Sequence, residues 1–244
     1  GDIIGIIGSN GSGKSTLFNN LMGILKSTEG EILYNGEQIK YDKKSLYNLR
    51  KEVGIVFQDP EKQIFYSMVY DDIAFALRNI GMDEKTIKDR IHTALEAVNG
   101  LQFIDRPVHN LSFGQKKRVA IASVVAMENK LVLLDEPTAG LDPISTRAIV
   151  DIIKGLNDRG VKIIISSHDM NLIYEICDYV YVLNQGVLIN EGTRAEVFVN
   201  EEKINEAGLE LPWLVKLHKN MGLPLFPKEE DLYSFWNKQA QKTV

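Results

Sequence analysis

Ile3-Ile4-Gly5-Ile6-Ile7-Gly8-Ser9-Asn10-Gly11-Ser12-Gly13-Lys14-Ser15-Thr16 joins an apolar run to a glycine-rich loop, and from Lys14 to Leu25 the apolar spacing is that of a helix. Ile3 to Ile7 reads as a buried strand, so phosphate is expected where strand, loop and helix meet. Glycines at 8, 11 and 13 permit backbone angles and a close approach that a Cβ would forbid, letting successive N–H groups converge on anionic oxygens at a helix N-terminus. Lys14 then supplies a full positive charge to the outer phosphates. The Ser15 hydroxyl is placed to ligate Mg²⁺, with Thr16 closing the motif.

Far downstream, Leu131-Val132-Leu133-Leu134 is an uninterrupted apolar run suited to a strand buried on both faces of a parallel sheet. It ends in Asp135-Glu136, and ligands of open α/β sheets collect at such carboxyl ends. Neighbouring side chains at a strand end diverge, so the two acids can divide the work. Asp135 is assigned to the Mg²⁺ shell and Glu136 to a water attacking the γ-phosphate.

Five further stretches follow the same order along the chain: Gln58 ending the strand Val53 to Phe57, Leu111-Ser112-Phe113-Gly114-Gln115, the acidic pair within Leu-Leu-Asp-Glu-Pro, Ala139-Gly140-Leu141-Asp142, and Ser166-Ser167-His168-Asp169. Together with the glycine-rich loop they resemble the nucleotide-binding subunits of ABC transporters over about residues 1 to 195. That resemblance implies an α/β P-loop NTPase with a mostly parallel central sheet, a helical signature subdomain and a C-terminal helical appendage. It implies ATP hydrolysis with Mg²⁺ at a head-to-tail pair of cassettes, ATP on the P-loop of one (Gly8, Ser9, Asn10, Gly11, Ser12, Gly13, Lys14, Ser15, Thr16) being capped by Ser112, Gly114 and Gln115 of the other. The family's roles carried over are Gln58 as sensor of the γ-phosphate and Mg²⁺, Asp142 as a contact to the opposite chain, and His168 as a holder of the γ-phosphate.

Ser112 is itself expected to cap a helix whose N-terminal amides and hydroxyl form an anion site. Two departures from the family pattern stand out. Phe113 occupies a position where the family usually has glycine, so a side chain stands close to the interface. The family's upstream β-sheet region with its adenine-stacking aromatic is not in the sequence, so no adenine-stacking residue is named.

The domains expected are an ATPase core over 1–58 and 131–195, a helical subdomain over 59–130 and an appendage over 196–244. From Met68 to Gly100 the pattern is helical, with Ile87, Ile91, Leu95 and Val98 on one face and Asp83 in the N-cap region. This block lies between Gln58 and the signature, so its rotation could report nucleotide state to a partner. Ile64-Phe65-Tyr66 is either a partner contact or ordinary helical core. In the tail, Leu211, Trp213, Leu214, Leu217 and Met221 recur at helical spacing, and they either contact a second ATPase subunit or cover the cassette's own core.

Gln58-Asp59-Pro60-Glu61-Lys62-Gln63-Ile64-Phe65 and the tail around Glu210-Leu211-Pro212-Trp213-Leu214 resemble the ATPases of energy-coupling-factor importers, including the cobalt-import type. This implies a homodimer or a pair of homologous ATPase subunits, a transmembrane scaffold, and a small membrane protein that binds a vitamin or a transition-metal ion.

At 244 residues, 44% hydrophobic and 25% charged, the chain suits one large α/β core with a satellite. A net charge of −5 argues against a nucleic-acid footprint. A non-transport ABC ATPase acting on nucleic acid or ribosomes is the alternative, although such proteins tend to carry two cassettes or a long coiled-coil insertion. The basic clusters Lys40 to Lys51 and Lys116-Lys117-Arg118 are read as solvated faces. No apolar stretch reaches the roughly 20 residues that span a bilayer. The expected location is therefore the cytoplasmic face of the membrane, with peripheral attachment. Cys177 sits in an apolar stripe with Leu172, Ile173 and Ile176 and is expected in the core.

Overall fold

The computed structural model describes residues 3–240. In chain order these form β1 (Ile3–Ile7), α1 (Lys14–Leu21), a short hairpin of β2 (Leu33–Tyr34) and β3 (Glu37–Gln38), α2 (Lys43–Glu52) and β4 (Val53–Val56). Next come α3 (Val69–Asn79), α4 (Glu84–Ala97), α5 (Phe113–Ala126), β5 (Leu131–Asp135), α6 (Pro143–Asp158), β6 (Lys162–Ser167) and α7 (Met170–Ile176). β7 (Tyr179–Asn184), β8 (Val187–Thr193), α8 (Arg194–Val199), α9 (Glu201–Glu206), α10 (Trp213–Met221) and α11 (Glu229–Ala240) complete the chain. They are organised in two compact units, one of Ser15–Ser166 and one of the residues up to Lys14 together with Ser167 onward.

In the first unit β4, β5 and β6 are parallel neighbours, with Leu133 opposite Ile55 on one side and Ile164 on the other. A central parallel strand is covered on both faces, and Leu133 and Leu134 are accordingly fully buried. Parallel neighbours need crossovers, and α6 supplies the one from β5 to β6 by burying Ile149, Ile152, Ile153 and Leu156. The crossover from β4 to β5 carries the helical block α3 to α5. Asp83 caps α4 by accepting from the Thr86 N–H at 3.0 Å, and Ile87, Ile91, Leu95 and Val98 are all fully buried, as the helical spacing predicts. Each such side chain contributes about 1.5–3 kcal/mol of transfer free energy.

In the second unit β1 lies parallel to β7, with Ile6 opposite Tyr181, and β8 returns antiparallel to β7 with a register shift at Val182/Leu183. Cys177 is buried as expected. A Cβ placed on Gly5 would stand 3.1 Å from its sulfur, and burial raises the thiol above its ordinary range. The tail belongs to this unit, and its helical stripe divides. Leu211, Leu214 and Val215 are buried, whereas Trp213 and Met221 are exposed, as is Trp236 on α11. Two bonds tie it down: the Trp213 N–H donates to Asn171 Oδ1 at 2.9 Å, and the Tyr174 hydroxyl donates to the Phe226 carbonyl at 3.1 Å.

Two expectations change. The helix after the glycine-rich loop stops at Leu21 rather than Leu25, because Gly23 turns left-handed at φ 61° and donates to Asn20 O. Lys117 is not part of a solvated face: it is completely buried, while Lys40, Lys43, Lys44, Arg50 and Lys51 are exposed.

The segment joining β4 to α3 is anchored by one carboxylate. Asp72, on α3, is 8% exposed and accepts from the Phe65 and Tyr66 N–H groups at 2.8 and 3.1 Å. Burial raises its carboxyl above the usual range, and the two backbone donors pull it back. Asp72→Ala is expected to cost about 1–3 kcal/mol by stranding both donors. Thermal unfolding should shift by roughly 2–4 °C for each kcal/mol. Hydrogen exchange at the Phe65 and Tyr66 amides should accelerate; unchanged exchange would show that the carboxylate anchors nothing.

Candidate functional site

The glycine-rich loop belongs to the second unit. Gly11 and Gly13 have φ of 81° and 104°, a left-handed region costly for other residues, and a Cβ on Gly8 would fall 2.4 Å from the Leu183 carbonyl oxygen. Lys14 opens α1 and folds back, its Nζ donating to Gly8 O at 2.8 Å and Ser9 O at 3.1 Å. The ammonium is thereby fixed over the loop's mouth. Ser12 Oγ is buried without a hydrogen-bond partner. A buried orphan hydroxyl is costly unless a ligand satisfies it, so the loop fits a polyphosphate group.

His168 is exposed just after β6, and Asp169 beside it caps α7 by accepting from the Asn171 and Leu172 N–H groups. Ser9, Asn10 and His168 line one cleft of about 460 Å³ with Asn171, Trp213 and Lys216. The second unit thus gathers the loop, His168 and part of the tail. The neighbourhood of Gly208 and Ser9, where a Cβ on the glycine would lie 3.6 Å from Ser9 Cβ, was invisible in sequence because nothing local marks a contact between residues so far apart.

The first unit holds the acidic pair. Asp135 and Glu136 are both 5% exposed, and Ser166 stands between them. Its hydroxyl donates to Asp135 Oδ1 at 2.5 Å and accepts from the Glu136 N–H at 3.1 Å. Glu136 is left-handed at φ 47°, a strained conformation for a non-glycine residue. Two donors hold its carbonyl in that turn, the Ala139 N–H at 3.2 Å and Lys117 Nζ at 2.7 Å. Burial pushes the Lys117 ammonium down to about 8, against the attraction of Glu136, Asp135 and Asp59. Sequence reasoning missed both Ser166 as an orienting residue and Lys117. The apolar period of α5 would have flagged the latter, since Lys117 lies in step with Ala120, Ile121 and Val124.

The same unit carries Gln58, Ser112, Gly114, Gln115 and Asp142. Gln58 is exposed beyond β4. Near it Gln63 forms a brace, its Oε1 accepting from the Phe57 N–H at 3.1 Å and its Nε2 donating to Ala120 O at 3.2 Å. Ser112 and Gln115 form the expected capping box, with Ser112 Oγ accepting from Gln115 N–H at 3.3 Å and Gln115 Oε1 from Ser112 N–H at 2.9 Å. The serine hydroxyl keeps its own proton to donate to an anion. Asp142 caps α6, and its bonds from Ser145 Oγ and backbone amides hold its carboxyl below the ordinary range. No group of three or more His, Cys, Asp or Glu among the described residues is placed to hold a metal. A single carboxylate with a serine hydroxyl suits Mg²⁺, which keeps waters and substrate oxygens in its shell.

A strand-loop-helix phosphate cradle and an oriented carboxylate pair at the end of a buried parallel strand define a P-loop ATPase. The family model described as "ABC transporter" matches residues 1–139. The chain belongs to that family. It is similar to the cobalt import ATP-binding protein CbiO of Salmonella typhimurium, 48% identical over 98% of this chain and 88% of that one. The energy-coupling factor transporter ATP-binding protein EcfA of Methanocaldococcus jannaschii is 48% identical over 89% of this chain and 78% of that one. Among solved structures, CbiO1 of Clostridium perfringens, part of the cbiONQ transporter complex, matches with a TM-score of 0.76 and 43% identity, covering 89% of this chain and 87% of that one. A dimeric ATP-binding cassette with ADP and Pi, in a post-hydrolysis state, matches with a TM-score of 0.72 and 27% identity over 79% and 85% of the two chains. The mostly parallel α/β architecture is that of ABC ATPases, and the chain is an ATP-hydrolysing subunit of that family.

Ser166→Ala removes a side chain that bonds both the Asp135 carboxylate and the Glu136 backbone. Loss of a hydrogen bond to a charged group is expected to lower ATP turnover about 10- to 100-fold while nucleotide affinity changes little. Wild-type turnover in this variant would leave Ser166 with a packing role alone.

Proposed function

We propose that this chain is the ATPase of an importer of the energy-coupling-factor type, working as a head-to-tail pair with a second copy or a homologous ATPase. The observation that carries the enzymatic half is the pair Asp135 and Glu136, oriented by one serine and held by Lys117. In this reading the loop from Gly8 to Thr16 holds the phosphates of ATP, Ser112, Gly114 and Gln115 of the opposite chain cap them, and Asp142 faces that opposite chain. Ser15 and Asp135, with Gln58, would hold Mg²⁺, which would supply charge neutralisation at the phosphates. Glu136 takes a proton from the attacking water, while His168 and Gln58 position the γ-phosphate.

Transport rests on a different surface. Beyond Gln58, Phe65 is 75% exposed and Tyr66 43% exposed, at a groove of about 390 Å³ also lined by Ile64, Val108, His109 and Lys116. Large exposed aromatics held by a buried carboxylate favour a docking surface over ordinary core. The partners are then a transmembrane scaffold and a small membrane protein that binds the cargo, and nucleic acid is not among them. No helix among the described residues is long and apolar enough to cross a membrane, which accords with peripheral attachment at the cytoplasmic face. The cobalt-import name of relatives favours a metal ion such as cobalt as cargo, with a vitamin as the other cargo that the family resemblance implies.

Glu136→Gln should abolish turnover, retain ATP binding and stabilise the nucleotide-bound pair; hydrolysis near the wild-type rate would remove Glu136 from the role of base. Phe65→Ala should release the chain from its membrane partners in affinity purification from gently solubilised membranes, with ATPase activity of the isolated subunit retained. Recovery of ribosomes or nucleic-acid proteins with the wild-type chain would sink the transport reading.

A further inference from the structure

Three consecutive basic residues near the start of α5 point three ways. Lys116 pairs with Glu61 at 2.5 Å, and Arg118 Nη1 donates to Asn99 O at 3.3 Å. Lys117 instead turns inward and is fully buried, its Nζ on the Glu136 carbonyl. One turn earlier on the same helix, the Phe113 ring lies with its centroid 5.7 Å from that ammonium. The ring also lies beside Gly140, where a Cβ would stand 3.4 Å from Phe113 Cε1. Two side chains spaced i and i+4 therefore fasten the N-terminal turn of α5 to residues 136 and 140.

A buried ammonium is an expensive way to satisfy a single carbonyl, because water or a neutral amide would do so without desolvating a charge. The charge becomes intelligible from what surrounds it. Asp135, Glu136 and Asp59 all attract it, and the carbonyl it holds belongs to the strained turn that aims the Glu136 carboxylate. At the same end, α5 is capped by Ser112, whose hydroxyl has a proton to give. In the head-to-tail pair proposed above, on which this inference rests, Ser112 serves the partner's nucleotide while Glu136 serves its own.

We propose that Lys117, covered by Phe113, is a positioning residue that couples engagement of Ser112 with the opposite chain's ATP to the aim of Glu136 in its own chain. One helical turn then links the two ATP sites of the pair. A glycine at 113 would leave the ammonium uncovered and α5 without its contact to Gly140. The departure of this signature from its family's usual pattern is in this view part of the coupling device.

The test is steady-state hydrolysis against ATP concentration for the full-length chain, with nucleotide affinity measured separately. Wild type should show a Hill coefficient above one, since two coupled sites permit it. Lys117→Met should lower kcat by at least about tenfold, the scale of one charge-assisted hydrogen bond lost from the transition state, and bring the Hill coefficient to one with ATP affinity nearly unchanged. Lys117→Arg should recover part of both. Phe113→Ala, at a residue 40% exposed and therefore tolerant of truncation, should lower the Hill coefficient whether or not the Lys117 variants fold. Wild-type cooperativity in Phe113→Ala, or parallel loss of ATP affinity and turnover in Lys117→Met, would overturn the coupling. Light scattering of the Glu136→Gln chain with ATP separates the two levels. Absence of a dimer there overturns the head-to-tail reading and this inference with it, whereas a stable dimer with unaltered cooperativity in the variants overturns this inference alone.

Discussion

The hydroxyl of Ser166 donates to the Asp135 carboxylate and accepts from the backbone of Glu136, and the arrangement of the first unit follows from those two hydrogen bonds. It requires β6 beside β5 in a register that puts Ser166 opposite Asp135. That register in turn needs two apolar strands and the α6 crossover. The cost is a left-handed glutamate, roughly 1–2 kcal/mol for a residue with a Cβ. Two donors to the glutamate's carbonyl, one of them charged, offset it. Strain at such a position is worthwhile only if the direction of the side chain matters, which is the demand that the proposed role of Glu136 as a base would make.

Helix α5 is where this demand meets the rest of the unit. Its first residues carry the capping box, its second turn the bond to Glu136, and its middle the Ala120 carbonyl that receives Gln63. Through Gln63 the helix is tied to the end of β4, next to Gln58; through Lys116 it is tied to Glu61. In the Lys116 pair the Glu61 carboxylate is well solvated, so the pair contributes modestly on its own. The Gln63 brace counts for more, because it satisfies a backbone N–H at the point where the strand ends. A displacement of α5 would therefore be felt at Gln58, Glu136 and Gly140 together, all within one unit.

Most of this was legible where chemistry and period coincide. The glycine-rich loop, the buried run ending in two acids, the Ser112 cap and the apolar face of α4 all announce themselves, because each is fixed by residues near in sequence. What escaped was fixed by residues far apart. Ser166 reads as one more small residue at a strand end until β6 is laid against β5. Lys117 reads as surface charge because basic residues usually are, and only the apolar phase of its own helix argued otherwise. The helical spacing from Lys14 runs past the end of α1 because Gly23 looks unremarkable among residues with that spacing, yet it supplies the left-handed turn that ends the helix.

The tail shows the same limit from the other side. Its helical stripe could be read as a subunit contact or as cover for the core, and the structure buries Leu211 and Leu214 while leaving Trp213 and Met221 exposed. Leu211, Leu214, Val215 and Phe226 are buried in the second unit, each contributing about 1.5–3 kcal/mol of transfer free energy, so the segment is structural before it is anything else. Its consequence for function lies in the Trp213 N–H bond to Asn171, three residues beyond His168, and in Gly208 packed near Ser9. Leu211 thus serves as cover for the core and, with Trp213, as a wall for the cleft of Ser9 and His168. A stripe that buries Leu211 and Leu214 for stability still fixes the place of the histidine's loop, and Trp213 itself stays partly exposed at that edge.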